Sequence, residues 1–183
     1  SGVGKVNAAV CTQVLIDRFG VGAVLFTGVA GAVDPELNVG DIVVSTSSQQ
    51  HDMDVTPLGF GRGVIPYQDV SDFPADASLV ALADEVGQAL FPGRVRRGKV
   101  LSGDQFIADR DVVRALRDEL NGACVEMEGA SVAQVCYMNG VPHVIIRSMS
   151  DKADGSAHVS FAEFTVEAAN RSYALVSAMV GKL

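Results

Sequence analysis

A short apolar run that turns abruptly polar constrains the fold of this chain more than any other stretch. Residues 141–146 are rich in β-branched side chains, a pattern typical of a strand buried on both faces of a sheet. Small polar and charged residues take over at Arg147, so we expect the strand to end there. Ligands of open α/β sheets bind beyond the carboxyl ends of the strands, where Asp151 would lie. Ser and Asp are also the usual residues of caps and turns, so this stretch alone favours a structural role.

Strand-like and helix-like segments alternate along the rest of the chain. The pattern predicts strands at 22–26, 41–45, 94–101 and 123–125. It predicts helices at 6–19, 76–91, from Asp109, at 126–137, and from a capping box at Ser160 and Glu163 to the end. Residues 48–75 are irregular, as lids and contact surfaces often are. We therefore predict one α/β domain, residues 1–183, with a central twisted sheet, largely parallel or mixed, flanked by helices.

Composition and local motifs exclude several classes of protein. A net charge of −8 argues against a nucleic-acid partner, and no apolar run approaches the roughly 18 residues that suggest a membrane span. The three cysteines are scattered without metal-ligand spacing, which fits a reducing cytoplasm. Residues 1–5 resemble a phosphate loop, but Val6 stands where that motif requires Ser or Thr. The turn at 27–32 lacks the glycine spacing of a dinucleotide site.

Four predicted loops leave the sheet at one edge if its strands are parallel: 27–32, 102–107, 126–128 and 148–154. They bring together small residues that leave room for a ligand, a flat aromatic ring, carboxylates and cations: Gly28, Ala30, Gly31, Phe106, Asp104, Glu126, Glu128, Asp151, Arg147 and Lys152. Each carboxylate could simply cap a helix or pair with an Arg, and for Asp104 we favour that interpretation. It is weaker for Glu128, because Glu126 and Glu128 flank Met127 where a strand gives way to a helix.

Six motifs occur in order along nearly the whole chain, at 27–31, 40–43, 51–56, 102–107, 125–128 and 147–151, and residues 160–164 continue the series. Together they resemble the motif set of the 5′-methylthioadenosine/S-adenosylhomocysteine nucleosidases, which belong to the nucleoside phosphorylase superfamily of α/β folds. The resemblance implies hydrolysis of the N-glycosidic bond of 5′-methylthioadenosine and S-adenosylhomocysteine, which releases adenine and the 5-thioribose product. It implies no cofactor and no metal.

The resemblance also implies roles for individual residues. Asp151 resembles the general acid that protonates N7 of the purine, held by Ser150, and such an acid needs a pKa raised by a closed site. Glu128 resembles the residue that binds the ribose 2′- and 3′-hydroxyls beside the oxocarbenium ion, with Met127 against the sugar.

The remaining implied contacts surround the base and the sugar. Phe106 would stack on adenine, the Ile107 backbone would read the N1 and N6 edge, and Phe161 would close over the base. Val3, Ala30, Gly31 and Glu126 complete the implied substrate contacts. For Phe106, Phe161 and Met127 the alternative is ordinary core packing.

The irregular segment at 48–75 resembles the part of the family that lies at a homodimer contact. Leu58 and Pro66 occupy the positions that reach into the 5′-thio pocket of the neighbouring chain. His51 and Asp52 then serve as scaffolding for this segment rather than as metal ligands. The implied protein is a cytoplasmic enzyme of methionine salvage that binds a small adenine nucleoside, with no nucleic-acid or membrane partner.

Water is the predicted nucleophile. The phosphorylases of the superfamily carry an Arg and a Ser where this chain has Phe26 and Val29, and two apolar side chains cannot hold a phosphate dianion. The hydrolases activate water with a Glu on an N-terminal loop, and Val3 resembles only the end of that region. Either the N-terminal segment and first strands of the family precede Ser1 in the whole protein, or the chain lacks this base and turns over little.

Three alternatives to this function stay open. An aminodeoxyfutalosine-type N-ribosyl hydrolase could share the same adenine pocket, and a purine nucleoside phosphorylase would share the superfamily. A non-catalytic adenine-nucleoside sensor is the weakest alternative, because two carboxylates, Asp151 and Glu128, are predicted at the site.

Overall fold

The computed structural model describes residues 1–153 and 157–183, and the side chains of all of these except 157–162. The helices are α1 (Lys5–Phe19), α2 (Ala77–Leu90), α3 (Arg110–Leu120), α4 (Gly129–Asn139) and α5 (Ala157–Val180). The strands are β1 (Val24–Ala32), β2 (Ile42–Gln50), β3 (Asp72–Pro74), β4 (Val95–Ser102), β5 (Gly122–Glu126) and β6 (His143–Asp151). A 3-10 turn spans Thr56–Leu58.

The sheet is mixed and closes on itself. Its strand order is β3-β2-β4-β5-β1-β6, and β6 also pairs with β2, so that five strands form a ring with β3 at the outside of β2. Strands β2, β4 and β5 are parallel to one another, and so are β1 and β6. The two groups meet antiparallel, at β1–β5 and at β2–β6. The predicted α/β sheet is confirmed as a mixed one, and it is the closed ring rather than a common parallel direction that brings the loops together.

Helices cover both faces of this sheet through separate apolar clusters. One cluster joins α1 and α4 to the strands through residues such as Ala8, Val132 and Ile145. A second joins α2 and α5 to the opposite face, with Leu79 and Leu175 at its centre. A third smaller cluster packs α3 against β4 and β5. In the part of the chain that the structure describes, no helix combines the length and apolarity needed to cross a membrane.

Helix starts agree with the sequence at two places and differ at a third. The carboxylate of Asp76 accepts hydrogen bonds from two N–H groups in the first turn of α2, and Asp109 does the same for α3, as expected of N-caps. Helix α5 begins at Ala157, three residues before the predicted capping box at Ser160. That prediction is wrong, since Ser160 lies within the helix, and its side chain is outside the described residues.

Strand β6 does not end at Arg147, so that prediction is also wrong. All nine of its residues, His143–Asp151, are buried. Polar side chains can remain in a buried strand when each finds a partner, and Arg147 forms ion pairs with Glu126 and Glu128. Strands β1 and β2 likewise extend beyond their predicted apolar cores, because their polar halves pair with neighbouring strands along the ring.

Candidate active site

A cavity of about 500 Å³ lies where the ends of β1, β5 and β6 meet the loop after β4 and the segment before α1. Residues predicted to contact substrate or carry out catalysis line it: Val3, Ala30, Gly31, Phe106, Ile107, Glu126, Met127, Glu128, Ser150 and Asp151. The side chain of Phe161, the remaining member of that set, lies outside the described part of the structure. The closed sheet therefore gathers into one cavity the loops that the sequence pattern assigned to a common edge.

A bulge in β6 presents two consecutive residues to the cavity. Ala30 pairs with Met149 but Gly31 pairs with Asp151, so Ser150 is an extra residue in the ladder. Bulges of this kind redirect side chains beside functional sites, and both Ser150 and Asp151 line the cavity. The Ser150 hydroxyl donates to Asp151 Oδ2 (2.8 Å), and the Ala153 N–H donates to Oδ1 (2.7 Å).

Gly31 lies directly against this acid. A Cβ at position 31 would stand 2.7 Å from Asp151 Oδ1 and 2.8 Å from Ala153 Cβ. Because such contacts are far inside van der Waals distance, only glycine allows the Asp151 carboxyl to occupy its position. Glycine is therefore required on steric grounds at position 31, the last residue of the 27–31 motif.

Glu126 holds the first turn of α4 and a buried arginine together. Its carboxylate accepts hydrogen bonds from the Glu128 and Gly129 N–H groups (2.8–3.1 Å) and from the Ser102 hydroxyl. It also forms an ion pair with Arg147, and both side chains are almost fully buried. The guanidinium of Arg147 lies over the Phe26 ring, 4.7 Å from its centroid. Most hydrogen-bonding capacity of Glu126 is therefore engaged within the protein, although it lines the cavity.

Glu128 is the less restrained carboxylate. It accepts a hydrogen bond from the Gly4 N–H (2.8 Å) and lies 3.4 Å from Arg147 Nη2. Burial raises the pKa of Glu128, and the neighbouring Glu126 charge adds to the increase, while the Gly4 N–H and Arg147 oppose it. The Gly4 contact lies at the N-terminus of α1, where the helix dipole favours an anion.

The cavity has a largely apolar wall. Phe106 is 52% exposed at its edge, and Ile107 packs behind it against the α3 cluster. Phe26 and Val29, the positions compared with phosphate-binding residues of the phosphorylases, also line the cavity.

The sequence analysis did not identify the roles of Gly4 and Arg147 in forming the site. The Gly4 backbone N–H, which holds Glu128, was missed because backbone groups leave no motif of their own; the glycine-rich start of α1 was the available signal. Arg147 was expected only as a compensating charge, and its burial beneath Gly28 was not foreseen. The signal was Gly28 itself, because a Cβ there would overlap Arg147 Nη1.

The 48–75 segment lies away from the cavity wall. Leu58 is 72% exposed and Pro66 is half-buried, and neither lines the cavity. Asp52 accepts hydrogen bonds from Lys5 and from the Asp104 N–H, and Asp104 accepts from the Lys5 N–H at the start of α1.

Within residues 1–153 and 163–183, no group of three or more His, Cys, Asp or Glu side chains could hold a metal ion.

Comparison with known proteins gives the same family at the level of sequence. Residues 1–181 match the phosphorylase superfamily. The chain is 43% identical, over 184 aligned residues, to a 5′-methylthioadenosine/S-adenosylhomocysteine nucleosidase from an Exiguobacterium species. That alignment covers all of this chain and 78% of the relative.

Solved structures agree with the sequence comparison. The 5′-methylthioadenosine/S-adenosylhomocysteine nucleosidase of Helicobacter pylori is 38% identical, with a TM-score of 0.96 over all of this chain and 78% of its own. A structure described as the futalosine hydrolase of Helicobacter pylori is similar to the same degree: 38% identity, a TM-score of 0.96, and coverage of all of this chain and 78% of the other.

Proposed function

We propose that this chain hydrolyses the N-glycosidic bond of 5′-methylthioadenosine and S-adenosylhomocysteine. The chain belongs to the 5′-methylthioadenosine/S-adenosylhomocysteine nucleosidase family of the phosphorylase superfamily. The products are adenine and the 5-thioribose compound. One observation carries the proposal beyond family membership. A single cavity contains a carboxyl held by its neighbouring serine, Asp151, and a second carboxylate of raised pKa, Glu128, beside an aromatic ring.

Asp151 is the proposed proton donor. It transfers its proton to N7 of the purine, and the C1′–N9 bond then breaks with its electron pair moving to N9 of the departing adenine. A donor must carry a proton first, and the Ser150 hydroxyl can help. Its Oγ lies 2.8 Å from Asp151 Oδ2 and 3.4 Å from the Ala30 carbonyl oxygen. By turning its proton toward Ala30, the hydroxyl becomes an acceptor for protonated Asp151.

Glu128 is the proposed partner of the sugar. Bond cleavage leaves positive charge on C1′ and the ring oxygen, and a nearby carboxylate stabilises that charge electrostatically. The same group can accept hydrogen bonds from the ribose hydroxyls. Burial disfavours the ionised form of Glu128, so a cationic transition state beside it relieves a cost already present in the protein. This is the differential binding that accelerates a reaction.

Water is the proposed nucleophile: its oxygen bonds to C1′ and it releases one proton to solvent, from which Asp151 regains the proton that it gave to N7. Arg147, which lines the cavity, already pairs with Glu126 and Glu128, so a phosphate dianion bound to it would have to displace a carboxylate. Phe26 and Val29 offer no anion-binding groups of their own. The test is adenine release from methylthioadenosine by the full-length protein with and without phosphate. Equal rates are expected, and a rate that rises with phosphate would reassign the protein as a phosphorylase.

Aminodeoxyfutalosine-type hydrolysis is the second candidate, favoured by the similarity to the Helicobacter pylori futalosine hydrolase. The proposed chemistry at the base and the ribose is the same for both substrates, which differ only at the 5′ position. Parallel kcat/KM measurements with methylthioadenosine and aminodeoxyfutalosine distinguish the two. A non-catalytic sensor is the weakest candidate, and any multiple-turnover release of adenine excludes it.

A homodimer with Leu58 and Pro66 near the 5′-thio pocket of the neighbour is part of the proposal. It is supported by an exposed apolar stripe on α1, where Val6, Val10 and Val14 are 73%, 59% and 45% exposed. An exposed patch of this kind favours association. Light scattering tests it: a dimer is expected for the wild-type protein, and Val10→Glu should yield monomers. We also propose a cytoplasmic place in methionine salvage, supported by three unpaired cysteines.

A further inference from the structure

We propose that Lys5 and Asp52 are positioning residues that fix two opposite walls of the cavity relative to each other without touching the substrate. This inference rests on the proposed function, because it assigns the two walls to the ribose and to the base. Neither residue lines the cavity. Both act through backbone groups that they hold in place.

The Asp52 carboxylate is the junction between the two walls. Its Oδ1 pairs with Lys5 Nζ at 2.7 Å, and its Oδ2 accepts the Asp104 N–H at 3.0 Å. Asp104 completes a ring, because its Oδ1 accepts the Lys5 N–H at 2.8 Å. The start of α1 and the loop after β4 are thus joined by three contacts that all involve a charged group, the stronger class of hydrogen bond.

The first wall contains Glu128, the carboxylate proposed to bind the ribose. Gly4 immediately precedes Lys5 and donates its N–H to Glu128 Oε1 at 2.8 Å. Gly4 has φ +95°, in the left-handed region that favours glycine, and it is bonded directly to Lys5. A displaced Lys5 therefore shifts the Gly4 N–H away from Glu128, and Val3, which lines the cavity, moves with it.

The second wall leads to the base. Asp104 lies two residues before Phe106, the proposed stacking ring. The loop packs tightly at Gly103 against His51 and Asp52, since a Cβ at position 103 would stand 2.5 Å from His51 Nε2 and 3.1 Å from Asp52 Cγ. Without the Asp52 carboxylate the loop loses the acceptor for the Asp104 N–H, and the backbone two residues before Phe106 is no longer held to the end of β2.

The ion pair between Lys5 and Asp52 is largely buried. The side chains of Lys5 and Asp52 are 20% and 16% exposed. Burial pushes the pKa of Asp52 upward, but the hydrogen bonds from Lys5 and Asp104 and the Lys5 charge outweigh it and hold the pKa below its ordinary value. Asp52 is therefore ionised at neutral pH.

The chain contains a matched control for this pair. Lys99 pairs with Asp72 at 2.5 Å, has a side chain 18% exposed, and also donates to a glutamine, Gln49, at 3.3 Å. Lys5 likewise donates to Gln50 at 3.1 Å. The Lys99 pair joins β4 to β3 and lies outside the cavity lining. Its removal reports the general effect of losing such an ion pair.

The test compares Lys5→Met, Asp52→Ala and Lys99→Met in the full-length protein. The readouts are kcat/KM for methylthioadenosine, the inhibition constant of adenine, and Tm. Lys5→Met should lower kcat/KM at least tenfold while leaving the adenine constant within twofold, because it disturbs only the ribose wall. Asp52→Ala should lower kcat/KM and weaken adenine at least fivefold. Lys99→Met should change neither by more than twofold. Its Tm loss should be no larger than that of Lys5→Met, because the Asp72 side chain is 40% exposed and that of Asp52 is 16% exposed.

A merely structural role gives a different pattern. If Lys5→Met and Asp52→Ala lower Tm as Lys99→Met does but leave kcat/KM and adenine affinity within twofold of wild type, the inference is wrong. Should Asp52→Ala not yield folded protein, Asp52→Asn keeps the size and one acceptor oxygen and must still lower kcat/KM. Failure of the proposed function would instead appear in the wild-type protein, as no adenine release.

Discussion

Gly31→Ala adds a single methyl group beside the proposed general acid and changes no functional group. The new Cβ would lie 2.7 Å from Asp151 Oδ1, 2.8 Å from Ala153 Cβ and 3.3 Å from Ala153 Cα. Carbon atoms in contact prefer roughly 3.5–4.0 Å, so Asp151 and the backbone after it must move by about 1 Å. Asp151 cannot simply turn aside, since Ser150 and the Ala153 N–H fix its two oxygens.

The magnitude follows from this displacement. Misplacing a reacting group by about 1 Å can lower a rate about 100-fold, and overpacking of a buried site destabilises a protein by roughly 1–3 kcal/mol. We therefore expect kcat to fall about 100-fold. Tm should fall by about 2–12 °C, since 1 kcal/mol corresponds to roughly 2–4 °C at this chain length.

The assay is steady-state adenine release, with thermal unfolding of the same samples. Gly22→Ala is the control, because a Cβ there meets nothing within 4 Å, and its kcat should match wild type. Gly31→Ala with kcat within threefold of wild type would refute the steric reasoning. So would a loss of activity fully explained by a smaller folded fraction.

Three further predictions concern the carboxylate, the buried arginine and a helix cap. The pKa of Glu128 is raised, so the folded state binds its proton more tightly than the unfolded state does. The stability that this protonated carboxyl contributes is fully present below about pH 4.3 and is lost as pH rises through the folded-state pKa. Glu128→Gln should therefore raise Tm at pH 7, lose that advantage near pH 4, and release adenine more slowly; a lower Tm at pH 7 would contradict the sign. Gly28→Ala places a methyl 3.1 Å from Arg147 Cζ, should disrupt the buried pairing with Glu126, and should cost about 3–5 kcal/mol in urea unfolding; an effect below 1 kcal/mol would show that Arg147 can move freely. Asp109→Ala removes the two N–H contacts at the start of α3 and should cost about 0.5–2 kcal/mol with unchanged kcat, and a changed kcat would mean that α3 acts on the cavity.

Much of the fold followed from local patterns in the sequence. Asp109 caps α3 as expected, α2 follows Asp76 where the pattern placed the start of a helix, and the alternation of strands and helices identified a mixed α/β domain. Local patterns failed where polar residues are buried. The end of β6 was placed at Arg147 because a charge normally stops a buried strand, whereas Glu126, far away in sequence, supplies the partner that lets the strand continue.

The site was predictable to a similar extent. The motifs named many of the residues that line the cavity, but not how they are held. The bulge at Ser150, the Gly4 N–H on Glu128 and the Asp52 junction depend on backbone groups whose positions are set by tertiary contacts. No spacing of residue types reports where a backbone N–H will point.

The measurement that tests the central claim most directly is the turnover of Asp151→Asn with methylthioadenosine, beside the affinity of the same variant for that substrate. Asparagine keeps the size of the side chain, and its Oδ1 can still accept the Ala153 N–H while its Nδ2 donates to a Ser150 hydroxyl turned toward the Ala30 carbonyl. It cannot donate an acidic proton to N7. We predict a kcat lower by about 100-fold or more, as expected for loss of a general acid, with the dissociation constant within about threefold of wild type. A variant that releases adenine at more than a tenth of the wild-type rate would contradict the account.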